Sequence, residues 1–303
     1  MTKLKKYIDT LVTLLDKNNI PKEIDLVIDG GSFNGSFGIG ILLYLKAMEE
    51  ANILKVRRIS GCSVGSILGL MYITNNLDQG EYLIQETMKG LRNDLYLKQY
   101  SSIIETFISN NIRKRQLTML KDKLYINTYS SKENKNIVIS KYDSKRELID
   151  IILQSCHIPY FMDKHAFKDN FFLDGVLIGP YLFKDSKKTL FIKLLTLEKM
   201  KYTIYIKNET NIAGRTLEGV LDINKFFSNS QSNMCSYIQD WNIRDFILFR
   251  SRNILCLVVT LLIDCGLLIH KYFPTIINES KYYKQLQEII INLYKDIMYH
   301  IIL

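Results

Sequence analysis

Cysteine is scarce and irregular in this chain. The five, at positions 62, 156, 235, 256 and 265, are odd in number and include no CxxC pair. That excludes a zinc-ligand pattern and offers no disulfide framework, so a reducing compartment is the simplest assumption. A secretion signal is also lacking, because Asp9 and Asp16 interrupt the apolar residues that follow Lys3, Lys5 and Lys6. The Asn-x-Ser/Thr sequons at Asn34, Asn208 and Asn278 then read as chance matches. No apolar run reaches the roughly 20 residues needed to span a bilayer. The stretch 254–269 holds 16 residues, contains Asp264 and is flanked by Arg250, Arg252 and Lys271. It is expected to be a buried helix, with an interfacial or anchoring segment as the other reading. Repeats, low-complexity tracts and Pro/Gly/Ser linkers are absent.

What is present is core-forming material and basic charge. Hydrophobic residues make up 47% and charged residues 23% of 303, which excludes disordered, collagen-like and disulfide-scaffold classes. Lys and Arg total 40 against 31 acidic residues, a net charge of +9 that suits an acidic partner or surface. No nucleic-acid module is recognisable, so nucleic-acid binding gains no support. Arg113, Lys114, Arg115, Lys121 and Lys123 form the densest basic cluster, a solvated face or a contact for anionic lipid.

Apolar periodicity predicts an α/β sheet. An amphipathic helix is expected over 3–17, ended by Pro21, and a short buried strand over 24–28 leads into Gly30-Gly31. A helix over 38–50 follows, then a strand near 56–60, the loop Gly61-Cys62-Ser63-Val64-Gly65 and another helix. Strand, glycine loop and helix, twice over, imply parallel strands. Further helices are expected over 78–92, 102–121 and 145–155, and strands over 124–129, 136–141, 171–173, 189–196 and 203–206. Beyond about 215 the pattern is helical to residue 303. The expected organisation is an N-terminal helix (1–19), one α/β catalytic domain (20–210) and a helical C-terminal extension (211–303).

Three segments carry chemistry. Residues 61–65 fit G-x-S-x-G between strand and helix, where a serine nucleophile stands on a tight turn and flanking glycines avoid clashes. A glycine-rich turn with an N-cap serine would carry the same letters. Residues 29–36 fail as a phosphate loop, since position 36 is Ser where Lys is required, and fail as a dinucleotide loop at Ser32 or Leu43. What remains is a run of unobstructed backbone N–H groups of the kind an oxyanion hole needs. An acyl-transfer serine needs a base. His157 and His165 are the triad candidates, since His270 and His300 lie in helical, mostly apolar surroundings. Phe171-Phe172-Leu173-Asp174-Gly175 offers instead a carboxylate at a strand end that could act directly. Cys62 sits off the apex of the turn and reads as packing. No His/Cys/Asp cluster suggests a metal, and neither metal nor cofactor is called for.

Together these segments resemble the patatin-like phospholipases over roughly residues 24–200. The glycine-rich loop is similar to 29–35, the nucleophile turn to 61–65, the Asp-Gly motif to Asp174-Gly175-Val176, and a serine-to-proline segment to residues 155–159. The resemblance implies a three-layer α/β/α fold with a mainly parallel sheet. It also implies a Ser-Asp dyad with Ser63 as nucleophile and Asp174 as general base. Backbone N–H groups at Gly30, Gly31 and Ser32 would form the oxyanion hole, with Gly35, Gly61, Gly65 and Gly175 as motif glycines. The implied activity is hydrolysis of phospholipid or other lipid acyl esters through an acyl-enzyme, in lipid catabolism. The implied setting is cytoplasmic, at membranes peripherally or through the C-terminal region. Acyl transfer on the same dyad, or a catalytically weak lipid-binding protein of the same fold, is the alternative. The chain departs from the family at Ser32 (usually Gly), Asn34 (usually Arg or Lys) and Val176 (usually small). Ser32 is expected to matter little, and Asn34 to lose a cation that could aid oxyanion charge.

Overall fold

The computed structural model describes residues 2–302 apart from 134, 159–160, 163–167, 170–171, 176–178, 197, 208, 210, 230 and 273–279. Its centre is a sheet in which β1 (Glu23–Ile28), β2 (Lys55–Cys62), β3 (Leu124–Ser130) and β6 (Thr189–Ile192) run parallel. Three antiparallel strands complete it: β4 (Lys135–Ile139) and β5 (Phe172–Asp174) on β3, and β7 (Cys235–Tyr237) on β6. The order is β4-β3-β2-β1-β6-β7, with β5 paired to β3. The expected mainly parallel α/β architecture is therefore present.

Strand alternation divides the core. Ile24, Leu26 and Ile28 face the larger hydrophobic layer, and Val27 faces a smaller one with Phe183, Phe191 and Phe249. The larger layer is built by α1 (Thr2–Thr13), α2 (Gly35–Glu50), α3 (Val64–Ile73), α4 (Gly80–Asp94), α5 (Tyr100–Asn111), α6 (Lys114–Leu120), α7 (Lys145–Ser155) and α8 (Ala213–Asn229). The other face is covered by residues 181–183, Trp241 and Phe249 of α9 (Ile243–Tyr272). The last helix is α10 (Lys281–Ile302). Helices α2 and α8 cross backbone to backbone: a Cβ on Gly40 would stand 1.9 Å from the Thr216 carbonyl oxygen, and one on Gly219 2.0 Å from that of Phe37.

Several expectations need correction. The helix over 102–121 is two helices, because buried Ile112 is extended (φ −101°, ψ 114°) and Arg113 starts a new helix, its N–H donating to Gln116 Oε1 (2.9 Å). Residues 203–206 form no strand. They follow a 3₁₀ turn (Met200–Thr203), and the Ile206 and Lys207 N–H groups donate to the Ile301 carbonyl of α10 instead of a neighbouring strand. The chain past 215 is not purely helical, since β7 adds an edge to the central sheet. Finally, the stretch 254–269 of α9 is no buried helix over its described side chains: Ile254, Leu257, Val258, Leu261 and Leu262 are all exposed.

Candidate active site

The sheet itself brings Ser63 and Asp174 together. β2 runs up one edge of β3 and stops at Cys62, opposite Asn127. β4 occupies the other edge of β3 from Ile126 to Ser130, so β5, paired to 128–130, must share the β2 edge. It runs antiparallel and stops at Asp174, opposite Thr128. Two strands thus meet head-on along one edge: β5 ends on Asp174, and β2 ends one residue before Ser63. A Cβ placed on Gly175 would lie 3.0 Å from Cys62 Cβ and 2.3 Å from the Asn127 carbonyl oxygen, so no larger residue fits there.

Ser63 has φ 51° and ψ −132°, a backbone conformation that costs a non-glycine residue about 1–3 kcal/mol. The glycines beside it permit the turn. A Cβ on Gly61 would sit 2.4 Å from the Gly65 carbonyl oxygen, and one on Gly65 2.5 Å from that of Ile28. Helix α3 begins at the next residue, so its N-terminus, with partial positive charge, adjoins the Ser63 hydroxyl. Both Ser63 and Asp174 are buried.

A bracket from the end of α7 fixes the pair. The Ser63 N–H donates to Ser155 Oγ (3.0 Å), and Ser155 Oγ donates to the Asn127 carbonyl (2.6 Å). Two residues on, the His157 carbonyl accepts the Asp174 N–H at 3.0 Å. The His157 backbone thus touches the Asp174 strand end, and neither the His157 side chain nor Asp174 is among the described residues lining the cavity onto which Ser63 opens. His165 and Val176 lie outside the described residues. Between Ser155 and His157, the Cys156 thiol is in hydrogen-bonding reach of Tyr100, Ser66 and Ser63. Burial, with the Asp174 charge adding to it, pushes that thiol up to about 12, so it stays neutral. Burial likewise raises the Tyr100 hydroxyl well above its usual range.

The loop after β1 faces the same space. Ser32 lines the cavity with Ser63 and has φ 48°, the left-handed region that favours glycine. The Gly-to-Ser departure thus carries a backbone cost that the sequence reading did not anticipate. Gly31 passes close to β6's end, where a Cβ would stand 2.7 Å from Leu194 Cβ, and Gly35 packs on Val64. Asn34 is turned away from the cavity: its Nδ2 donates to the carbonyls of Leu194 (2.8 Å) and Lys199 (2.9 Å). The expected loss of a cation facing the oxyanion is therefore not what this position does. A guanidinium reaches the loop from elsewhere. Arg215 of α8 donates to the carbonyls of Phe33 (3.2 Å), Tyr202 (2.8 Å) and Tyr205 (2.9 Å) and pairs with Glu209.

Ser63, Ser32, Tyr100 and Cys156 open onto a narrow cavity of about 60 Å³ whose walls are otherwise almost wholly apolar, including Ile67, Leu68 and Met162. A buried serine on a strained turn, a carboxylate at a facing strand end and an apolar slot beside them are the parts an acyl-ester enzyme requires. A family model described as "Patatin-like phospholipase" matches residues 26–184, more than half of the chain. The chain belongs to this family. Among curated relatives, the patatin-like mouse (Mus musculus) protein 1-acylglycerol-3-phosphate O-acyltransferase Pnpla3 is 24% identical over 209 residues. The match covers 64% of this chain and 50% of the mouse protein, so the chain spans about half that relative's length. Within this patatin-like chain, the described residues hold no group of three or more His, Cys, Asp or Glu side chains that could hold a metal.

Sequence reasoning missed Ser155 and Cys156 as hydrogen-bond partners of the nucleophile, and Tyr100 and Arg215 altogether. Only Ser155 and Cys156 left a signal, as part of the serine-to-proline segment.

Proposed function

We propose that the chain is a serine lipid acyl hydrolase working through a Ser63–Asp174 dyad. The observation that carries this reading is the head-on meeting of β2 and β5 beside an apolar cavity. Asp174 takes the Ser63 hydroxyl proton as Oγ attacks the ester carbonyl carbon. Backbone N–H groups at Gly30, Gly31 and Ser32 hold the resulting oxyanion. Collapse breaks the acyl C–O bond, and Asp174 returns the proton to the leaving alcohol, a lysophospholipid for a phospholipid substrate. Asp174 then draws a proton from water, which attacks the acyl-enzyme, releases the fatty acid and restores Ser63. The acyl chain lies in the apolar cavity.

A second reading is favoured by the name of the mouse relative, an acyltransferase acting on 1-acylglycerol-3-phosphate. The same acyl-enzyme yields transfer when a glycerol hydroxyl takes the place of water. Among the described residues no helix is long and apolar enough to cross a membrane. The exposed stripe of α9 and that of α10, with Leu286, Ile289, Leu293 and Ile297, support peripheral contact with a lipid surface, which the net charge of +9 favours when the lipid is anionic. In this reading the catalytic unit runs through β7, and α9 and α10 form the extension.

The test is labelling with a fluorophosphonate followed by peptide mapping, alongside fatty-acid release from phospholipid vesicles. Label on Ser63, and release lost in Ser63→Ala and Asp174→Asn, are expected. Equal release by wild type and Ser63→Ala overturns the reading. Loss in His157→Ala with full activity in Asp174→Asn overturns the dyad. Supplying a lysophosphatidic acid acceptor separates transfer from hydrolysis by the product formed.

A further inference from the structure

The cavity beside Ser63 has a definable floor. It follows one face of α3, lined by Ser63, Val64, Ile67, Leu68 and Met71. Met71 stands eight residues beyond Ser63, about 12 Å along the helix at 1.5 Å per residue. There three helices converge. Gly80 at the start of α4 is close enough that a Cβ would lie 2.7 Å from Ile39 Cδ1 and 3.6 Å from Met71 Sδ. Ile39, from α2, is itself buried, and its side chain closes the space between α3 and α4.

On the far side of Ile39 is a second hollow. It is a mainly apolar groove between α1, α2, α4 and α8, lined by Leu4, Leu43, Leu77 and Leu217 with Lys3 and Glu81 beside them, and Ile39 lines it too. Among the described residues, Ile39 is the one that lines both the cavity that begins at Ser63 and this groove. An extended acyl chain advances about 1.3 Å per carbon, from 1.5 Å bonds at tetrahedral angles. In length alone, about eight to ten carbons span the distance from Ser63 to this wall.

We propose that Ile39, backed by Gly80 and Met71, is the stop that sets acyl-chain length, and that opening it lets the distal part of a longer chain pass into the groove beside α1. The inference rests on the acyl-hydrolase reading above and adds to it a substrate class: esters of medium-length straight-chain acids. Gly80 contributes by absence, because any side chain there would thicken the wall from the cavity side. A wall made by one flexible side chain, with apolar space behind it, is a position where small changes in volume alter selectivity more than total rate. A single methylene in an apolar pocket shifts specificity by about tenfold or more.

The experiment compares p-nitrophenyl octanoate and p-nitrophenyl palmitate as substrates of the full chain, reading the palmitate-to-octanoate rate ratio within each variant. That ratio does not depend on how much of a variant folds. Ile39→Ala should raise it by about tenfold, and Ile39→Val, which removes only the Cδ1 methyl, should raise it less. Gly80→Ala should lower it. A ratio unchanged in both Ile39 variants, from a wild type that hydrolyses either ester through Ser63, overturns the stop and leaves the hydrolase reading standing. If the wild type shows no Ser63-dependent release from either ester, the hydrolase reading fails and the stop falls with it.

Discussion

The two ends of the parallel sheet treat buried polar groups in opposite ways. At the carboxyl ends, β2 delivers Ser63 in a left-handed conformation and neutral hydrogen bonds through Ser155 and Asn127 hold it. At the amino ends, Asp25 of β1 is buried and fully ionic. Arg57 bonds both its oxygens (2.9 and 2.5 Å), Arg58 bonds it at 3.1 Å, and Arg58 goes on to Asp185 (2.6 Å) and stacks on Phe183. One end stores backbone strain at the proposed nucleophile. The other spends its charge pinning β1, β2 and the approach to β6. A fold of this kind separates chemistry from anchorage by the length of a strand, which is why ligands of open α/β sheets gather at the carboxyl ends.

The sharpest way to test that separation is Asp174→Asn at the reactive end. Activity should fall by about a thousandfold or more, while thermal stability changes little, measured as fatty-acid release and melting temperature on the same preparation. Asp25→Asn at the other end should do the reverse. It should lower unfolding free energy by about 2–3 kcal/mol, read by urea titration, and leave fluorophosphonate labelling per folded molecule unchanged.

Asp25 also has a pH signature. Burial alone would raise its carboxyl, but hydrogen bonds from Arg57, Arg58 and Ser186 overcome this and hold it below the usual range. Its contribution is therefore complete above the unfolded-chain value of about 4 and disappears as pH falls through the lower folded value. Between neutral pH and that acid window wild type should lose stability faster than Asp25→Asn, and parallel slopes would remove the assignment. Ser155→Ala sits between the two ends in effect. It leaves the Ser63 N–H without its acceptor, a cost of about 1–3 kcal/mol, and should slow labelling of Ser63 more than it lowers the melting temperature. The smallest effect is Ser32→Gly, which relieves the φ of 48° and should stabilise by up to about 1 kcal/mol. A destabilised Ser32→Gly would mean that the serine hydroxyl, not its backbone, is what the loop needs.

What the sequence disclosed was local. Helix α7 matches its expected span of 145–155, and the structure shows Ser144 capping it, accepting from the Glu147 N–H. The glycines at 61, 65 and 175 could be read because each stands where another backbone passes too close for a Cβ. What stayed hidden was set by partners distant in the chain. Residues 203–206 read as a strand, yet Arg215 takes the Tyr205 carbonyl and the end of α10 the Ile206 N–H. Cys235–Tyr237 is too short to announce itself as a strand and becomes one only because β6 has a free edge beside it. Asn34 looked like a missing cation because its letter was compared with a motif. The direction of its side chain depends on Leu194 and Lys199, which no motif contains.

Because β2 and β5 both measure their position against β3, the separation of Ser63 and Asp174 is counted in ladder rungs and not in connecting chain. The connection between β4 and α7 can lengthen or shorten over generations without moving the aspartate, provided Thr128 still faces Asp174 and α7 still presents Ser155 and His157. A slip of one rung, by contrast, would send the carboxylate to the opposite face of the sheet. Drift in this protein is thus free in length and quantised in register.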